Sequence, residues 1–188
     1  MRHRYDTPAL VLSRAPLGEA SAFVTLLTPT LGLVRARAQG VRRPGAKLAS
    51  ALTTFSESSV ILVRGKEGWR ITGAVGEEQW SRCLSPEARQ TAARVVGLLL
   101  RLSPNDIQDQ SLFTILVTLF KALTMHPIGA FESIEILTAL RILAVLGLDA
   151  GDIPGTDTNM TKETLLGVRG ARGTYIARIN RGITASGL

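Results

Sequence analysis

The residues best placed to do chemistry in this sequence are cations. Between positions 35 and 47 the stretch RARAQGVRRPGAK carries Arg35, Arg37, Arg42, Arg43 and Lys47, five positive side chains within 13 residues. Guanidinium and ammonium groups donate well to phosphate oxygens, and each neutralised phosphate releases counterions, so binding of this kind weakens with salt. Arg35 and Arg37 fall on one side of a period-two stretch, and Arg42, Arg43 and Lys47 follow in a loop that Pro44 and Gly45 hold open. Arg14, which ends an earlier apolar run, joins them as a candidate phosphate contact. A solvated basic edge that merely keeps a strand from pairing with another sheet would use the same residues, and charge alone does not separate the two uses.

Groups for covalent or acid–base work are sparse. Glu77 and Glu78 are an acidic pair with no second carboxylate set against them, His126 precedes Pro127 at a helix end, and Cys83 reads as a small hydrophobe or linker residue. No glycine-rich loop runs into Lys and Ser or Thr, and no nucleophile elbow is present. One cysteine with His3 and His126 is too few for a tetrahedral zinc site. The expectation is a non-enzyme with no catalytic residues, no metal and no cofactor.

The chain has 188 residues, 22 Lys and Arg against 15 Asp and Glu, and a net charge of +7. With 45% hydrophobic and 20% charged residues it is not mainly disordered, and its length fits one domain or two small ones. A lone cysteine points to a reducing, cytoplasmic setting. The N-terminus lacks a signal-peptide apolar run, and the apolar stretches 95–100 and 142–148 are too short to span a bilayer, so no membrane association is expected. Residues 1–80 hold 11 basic and 6 acidic side chains, net +5, whereas residues 81–150 hold 6 of each. An exposed positive field of that kind attracts polyanions.

The elements that must position the cations change character near residue 80. Short β-rich runs at 9–13, 23–27, 33–38, 58–63 and 69–75 are separated by turn residues, and residues 65–68 read as a hairpin connection. Five strands in so short a stretch fit a small antiparallel barrel, of which the OB fold is one solution. Of the aromatic residues here, Phe23, Phe55 and Trp69 are expected in the core, which favours recognition through phosphates over base stacking. Beyond residue 84 the period is helical. Ser85, Pro86 and Glu87 start a helix whose stripe is Ala88, Ala92, Val95, Val96, Leu99 and Leu102. Leu112, Ile115, Leu116, Leu119, Phe120 and Leu123 form a second stripe, residues 130–146 a third and central helix ended by Gly147, and 161–184 a last helix. The fold class is α+β: a five-stranded barrel at 1–80 followed by an α-helical domain at 81–188.

Residues 9–56, ALVLSRAPLGEASAFVTLLTPTLGLVRARAQGVRRPGAKLASALTTFS, resemble the start of the RecO family of bacterial recombination mediators. The likeness is carried by Leu17, Gly18 and Glu19 after an apolar strand, by the turn from Leu27 to Arg35, and by the loop from Gly40 to Pro44; 140–148 (LRILAVLGL) is similar to the family's central helix. The resemblance implies an N-terminal OB fold that binds single- and double-stranded DNA and anneals complementary strands. It also implies a helical domain that works with RecR and docks the acidic C-terminal tail of single-strand-binding protein, helping to load recombinase on coated DNA in the cytoplasm, at the nucleoid. DNA binding is carried onto Arg35, Arg37, Arg42, Arg43 and Lys47, and partner binding onto Lys121 and Arg141, which lie beside apolar stripes. Many relatives have a four-cysteine zinc site after the central helix; residues 149–160 here contain no cysteine, so no zinc is expected. The chain is also shorter than most relatives. The alternatives are a protein-interaction adaptor that binds the tail with little DNA affinity of its own, and an RNA-binding barrel.

Overall fold

In the computed structural model, residues 3–43, 45–46, 48–103, 109–155 and 159–187 are described. Strand β1 (Arg4–Leu17) is long because it serves two neighbours. Its first half pairs antiparallel with β4 (Glu57–Gly65), and its second half with β2 (Ser21–Thr28). The apolar run at 9–13 is only its middle, since the polar flanks are recruited by ladder hydrogen bonds rather than by burial. Pro8 sits in the half that pairs with β4 alone, where its missing N–H is tolerated. A bulge lies between Val11 and Ser13, and there the Val11 N–H donates to the Ser56 carbonyl at 2.9 Å while the Phe55 N–H donates to the Val11 carbonyl at 2.8 Å.

Strands β3 (Gly32–Ala38) and β5 (Gly68–Glu78) complete a closed barrel ordered β1-β2-β3-β5-β4. Every pairing is antiparallel except β3 with β5, a parallel contact of three residue pairs from Ala36 opposite Trp69 to Ala38 opposite Ile71. This is the OB-type barrel expected, closed through the short β3–β5 contact. Its interior is built from alternate residues, among them Ala9, Val11, Ala22, Val24, Leu26, Val34, Ala36, Val60, Leu62 and Ile71. A short helix α1 (Leu48–Ala51), not expected from the sequence, packs on β5 and is followed by Leu52, which enters the core. The Ser56 and Ser58 hydroxyls both donate to the Ala51 carbonyl, at 2.9 and 2.6 Å. Phe55 holds a left-handed φ of 61° there, its carbonyl accepting from the Ser81 N–H at 3.1 Å, next to the equally short α2 (Trp80–Cys83).

The helical part follows the stripes. The Ser85 hydroxyl accepts from the Ala88 N–H at 3.2 Å, capping α3 (Pro86–Leu102), and the six stripe residues are all buried. The capping contacts at this terminus hold the Glu87 carboxyl below its ordinary value. In α4 (Gln110–Met125) the six stripe residues are likewise buried. A single 3-10 turn at Ile128–Ala130 leads into α5 (Phe131–Val145), which is buried on most faces, as its nearly continuous apolar sequence requires. Gly147, at φ 70°, ends the turn after it. The single helix expected at 161–184 is two: α6 (Lys162–Gly170), capped by Thr161, and α7 (Arg172–Ala185), broken at Ala171. The break falls in RGARG, where Gly170 and Gly173 weaken helix continuity on either side.

Packing divides the chain into two compact units, Met1–Cys83 with Asn105–Phe113 and Leu84–Pro104 with Thr114–Leu188. Among the described residues no helix is long and apolar enough to cross a membrane.

Candidate nucleic-acid interface

Alternation along β3 buries Val34, Ala36 and Ala38 and turns Arg35 and Arg37 outward. Register then places other cations beside them. Arg37 lies opposite Arg70 of β5, Arg70 opposite Val63 of β4, and Val63 opposite Arg4 of β1. Residues directly opposite in a ladder share a face. Four adjacent strands therefore present Arg4, Val63, Arg70 and Arg37 in one row on the outer wall, about 14 Å from end to end at the backbone. Towards the β4–β5 turn the row opens into a cleft of about 890 Å³, lined by Arg4, Arg64, Lys66 and Arg70 with Glu67 as its acidic member.

The sequence-derived candidates do not all join this face. Arg35 is exposed, its guanidinium carbon 4.5 Å above the centre of the Phe23 ring. Arg37 is half-buried, and its Nε has no hydrogen-bond partner among the described residues. Arg42 is tied down: its Nη1 donates to the Gly18 carbonyl at 2.6 Å and its backbone N–H to the Ala20 carbonyl at 3.0 Å, fastening the loop to the β1–β2 turn. Arg43 is exposed on that loop, and Gly40 and Gly45 flank it at φ 67° and 72°. Lys47 and Pro44 lie outside the described residues. Arg14 is on the other side of the wall: it opposes the core residue Val24, and its Nη1 reaches the Leu52 carbonyl at 3.4 Å. It supports the barrel's lining rather than the outer row.

Among the described residues the ion pairs seen all lie in the helical unit, and none joins Arg4, Arg35, Arg37, Arg43 or Arg70 to a carboxylate. Guanidinium groups set side by side on a closed barrel by strand register can neutralise successive phosphates.

Two features went unread in the sequence. Arg4, Arg64, Lys66 and Arg70 were not singled out, although alternation with the inward-facing Ile71 was a signal for Arg70. Phe23, expected in the core, faces outward opposite Arg37, because Ala22, Val24 and Leu26 take the inward positions of β2. Trp69 does pack partly against the core, but it also meets Tyr5 edge to face at 5.3 Å and carries Arg64 over its ring at 5.4 Å.

The family model described as "Recombination protein O N terminal" matches residues 1–76. "DNA repair protein RecO" of Heliobacterium modesticaldum is 33% identical over 144 residues, 76% of this chain and 51% of that protein. The protein of the same name from Dehalococcoides mccartyi is 30% identical over 122 residues, 64% of this chain and 48% of its own length. The chain belongs to the RecO family. It spans about half the length of the curated relatives it matches.

In the helical unit of this RecO-family chain the two candidate partner residues separate. Arg141 is 3% exposed, and its Nη2 donates to the Asn159 carbonyl at 3.3 Å. Burial takes it out of reach of a docking peptide, because α5 is apolar on nearly every face and Arg141 lies within it. Lys121 is exposed and lines a small groove of about 180 Å³ with Met125, His126 and Met160. Among the described residues no three His, Cys, Asp or Glu side chains are grouped to hold a metal ion.

Proposed function

We propose that the barrel binds the phosphodiester backbone of DNA, single- and double-stranded, and that the chain acts in DNA repair and recombination as a non-enzymatic mediator. The observation that carries this reading is the row of Arg4, Arg70 and Arg37, set by strand register and lacking carboxylate partners among the described residues. Arg35 and Arg43 extend the positive surface to either side. Neutralising phosphates on two strands at once lowers their mutual repulsion, which promotes annealing without nucleotide hydrolysis. The names of the relatives, DNA repair proteins, support the same reading. By this account the chain works with RecR to load recombinase on DNA coated by single-strand-binding protein, needing no metal or other cofactor.

A salt titration of DNA binding by fluorescence anisotropy tests it. Affinity should fall linearly on a log–log plot against salt. An absence of binding at low salt, or a slope untouched by replacing Arg37 and Arg70 with Gln, would sink the proposal.

The groove beside Lys121 favours a second reading, in which the helical unit takes the acidic, apolar C-terminal tail of single-strand-binding protein. Met125 is 80% exposed there beside a free cation, a pairing that suits a peptide ending in acidic and apolar residues. Lys121→Glu should lower the affinity of such a peptide by about tenfold if the two charges meet. Peptide binding without DNA binding would make the chain an adaptor instead.

A further inference from the structure

We propose that Arg35, backed by the Phe23 ring, is a stacking platform for an unpaired nucleobase, so that the barrel selects single-stranded nucleic acid by its bases as well as its backbone. This rests on the backbone-binding reading above and adds a determinant of strand type to it.

A phenylalanine on the wet face of a strand leaves apolar surface in water unless something covers it. At Phe23 the cover is the Arg35 guanidinium, 4.5 Å above the ring centre, reached across the β2–β3 ladder from the position opposite Thr25. A guanidinium held over an aromatic ring keeps its plane and its charge together. The Arg35 guanidinium carbon lies over the ring while the residue stays exposed, so the side chain remains accessible to a flat ligand. The neighbours leave room. Phe23 lies opposite Ala15 of β1, an exposed residue with only a methyl side chain, and Thr25 is likewise short.

Phosphate contacts lie at the right side of this platform. Arg37 is directly across the ladder from Phe23, and Arg70 directly across from Arg37. A base resting on Arg35 would hand its flanking phosphates to those two guanidinium groups. Only a strand whose bases are unstacked can do this, because a duplex keeps its base faces inside the helix. Stacking on arginine planes and aromatic rings is the general way in which unpaired bases are held.

The test compares an oligothymidylate with an abasic oligonucleotide of equal length and charge, binding the 188-residue chain in anisotropy titrations at one salt concentration. The wild-type chain should prefer the base-bearing strand by about tenfold. Arg35→Lys keeps the charge but loses the plane, and Phe23→Leu keeps the apolar cover but loses the ring. In both, the preference should fall towards equality. Thermal melting of each variant separates loss of the platform from loss of fold, and Arg35→Lys, at an exposed position, is the variant that keeps the fold. Equal binding of the two strands by the wild type, or an unchanged preference in folded Arg35→Lys, overturns the platform while leaving backbone binding in place. Failure of the wild type to bind either strand overturns the backbone reading and the platform with it.

Discussion

Among the described residues of the helical unit, Arg94 closes on Glu135 at 2.6 Å, Arg172 on Glu132 at 2.7 Å and Arg178 on Asp149 at 2.5 Å. In the barrel, among the described residues, Arg4, Arg35, Arg37, Arg43 and Arg70 close on none. The difference follows from where the acids are. Glu132, Glu135 and Asp149 sit on or next to α5 and are met by side chains of α3 and α7, whereas the outward row of the barrel has only Val63 between its arginines. One unit uses the guanidinium as a clasp, and in the proposed function the other keeps it available for an external anion. The clasp of Arg178 is the most enclosed: both its side chain and that of Asp149 are about nine-tenths buried, Nη1 also donates to the Asp152 carbonyl at 2.8 Å, and Gly151 leaves no room for a Cβ beside the guanidinium.

The contrast can be broken most forcefully at the row. Arg37→Glu with Arg70→Glu should reduce DNA affinity by at least about a hundredfold in anisotropy titrations, and the milder Gln pair should make the salt slope shallower by about 2. Next comes the buried clasp. Asp149→Asn should cost about 2 kcal/mol in urea unfolding and lower the melting temperature by about 4–8 °C, with DNA affinity per folded molecule held.

That variant should also change the response to acid. Hydrogen bonding from Arg178 holds the Asp149 carboxyl below its ordinary value in the folded chain. Its contribution is therefore complete above the unfolded carboxylate value and drains away as pH falls through the lowered folded one. The stability curve below about pH 4 should be shallower in Asp149→Asn than in the wild type.

A smaller effect sharpens the assignment of single residues. Arg43→Ala should lower DNA affinity about threefold and the salt slope by about 1, whereas Arg14→Ala, behind the wall, should leave the slope as it was. The smallest effect is expected at the exposed pair of Arg172 and Glu132. Arg172→Ala should leave the melting temperature within experimental error, because solvent screens both groups.

Local signals in the sequence were enough for much of this architecture. Apolar, β-branched runs bounded by turn residues marked all five strands, with a clear period of two at β3, and every stripe residue of α3 and α4 is buried, together with Thr91, Thr118 and Ala122 beside them. Strand ends were less visible: β1 extends to Arg4 and Leu17 on ladder bonds that leave no hydrophobic trace. The site was half legible. Arg35 and Arg37 announced themselves by alternation, but their alignment with Arg70 and Arg4 depends on the parallel β3–β5 contact and on β4 lying between β1 and β5, which are facts of topology. The placement of Arg14 behind the wall and of Arg141 inside α5 was hidden in the sequence for one reason. A cation next to an apolar run looks the same in sequence whether it covers the surface or penetrates it.

The seam between β3 and β5 is the shortest ladder of the barrel, and its middle pair is Arg37 facing Arg70. Two like charges directly opposed there push apart the strands that the fold must hold together. A bound polyanion would turn that repulsion into a shared attraction, so ligand and barrel closure are thermodynamically linked. The empty protein should breathe first at this seam, and the occupied one should be stapled shut by its own cargo.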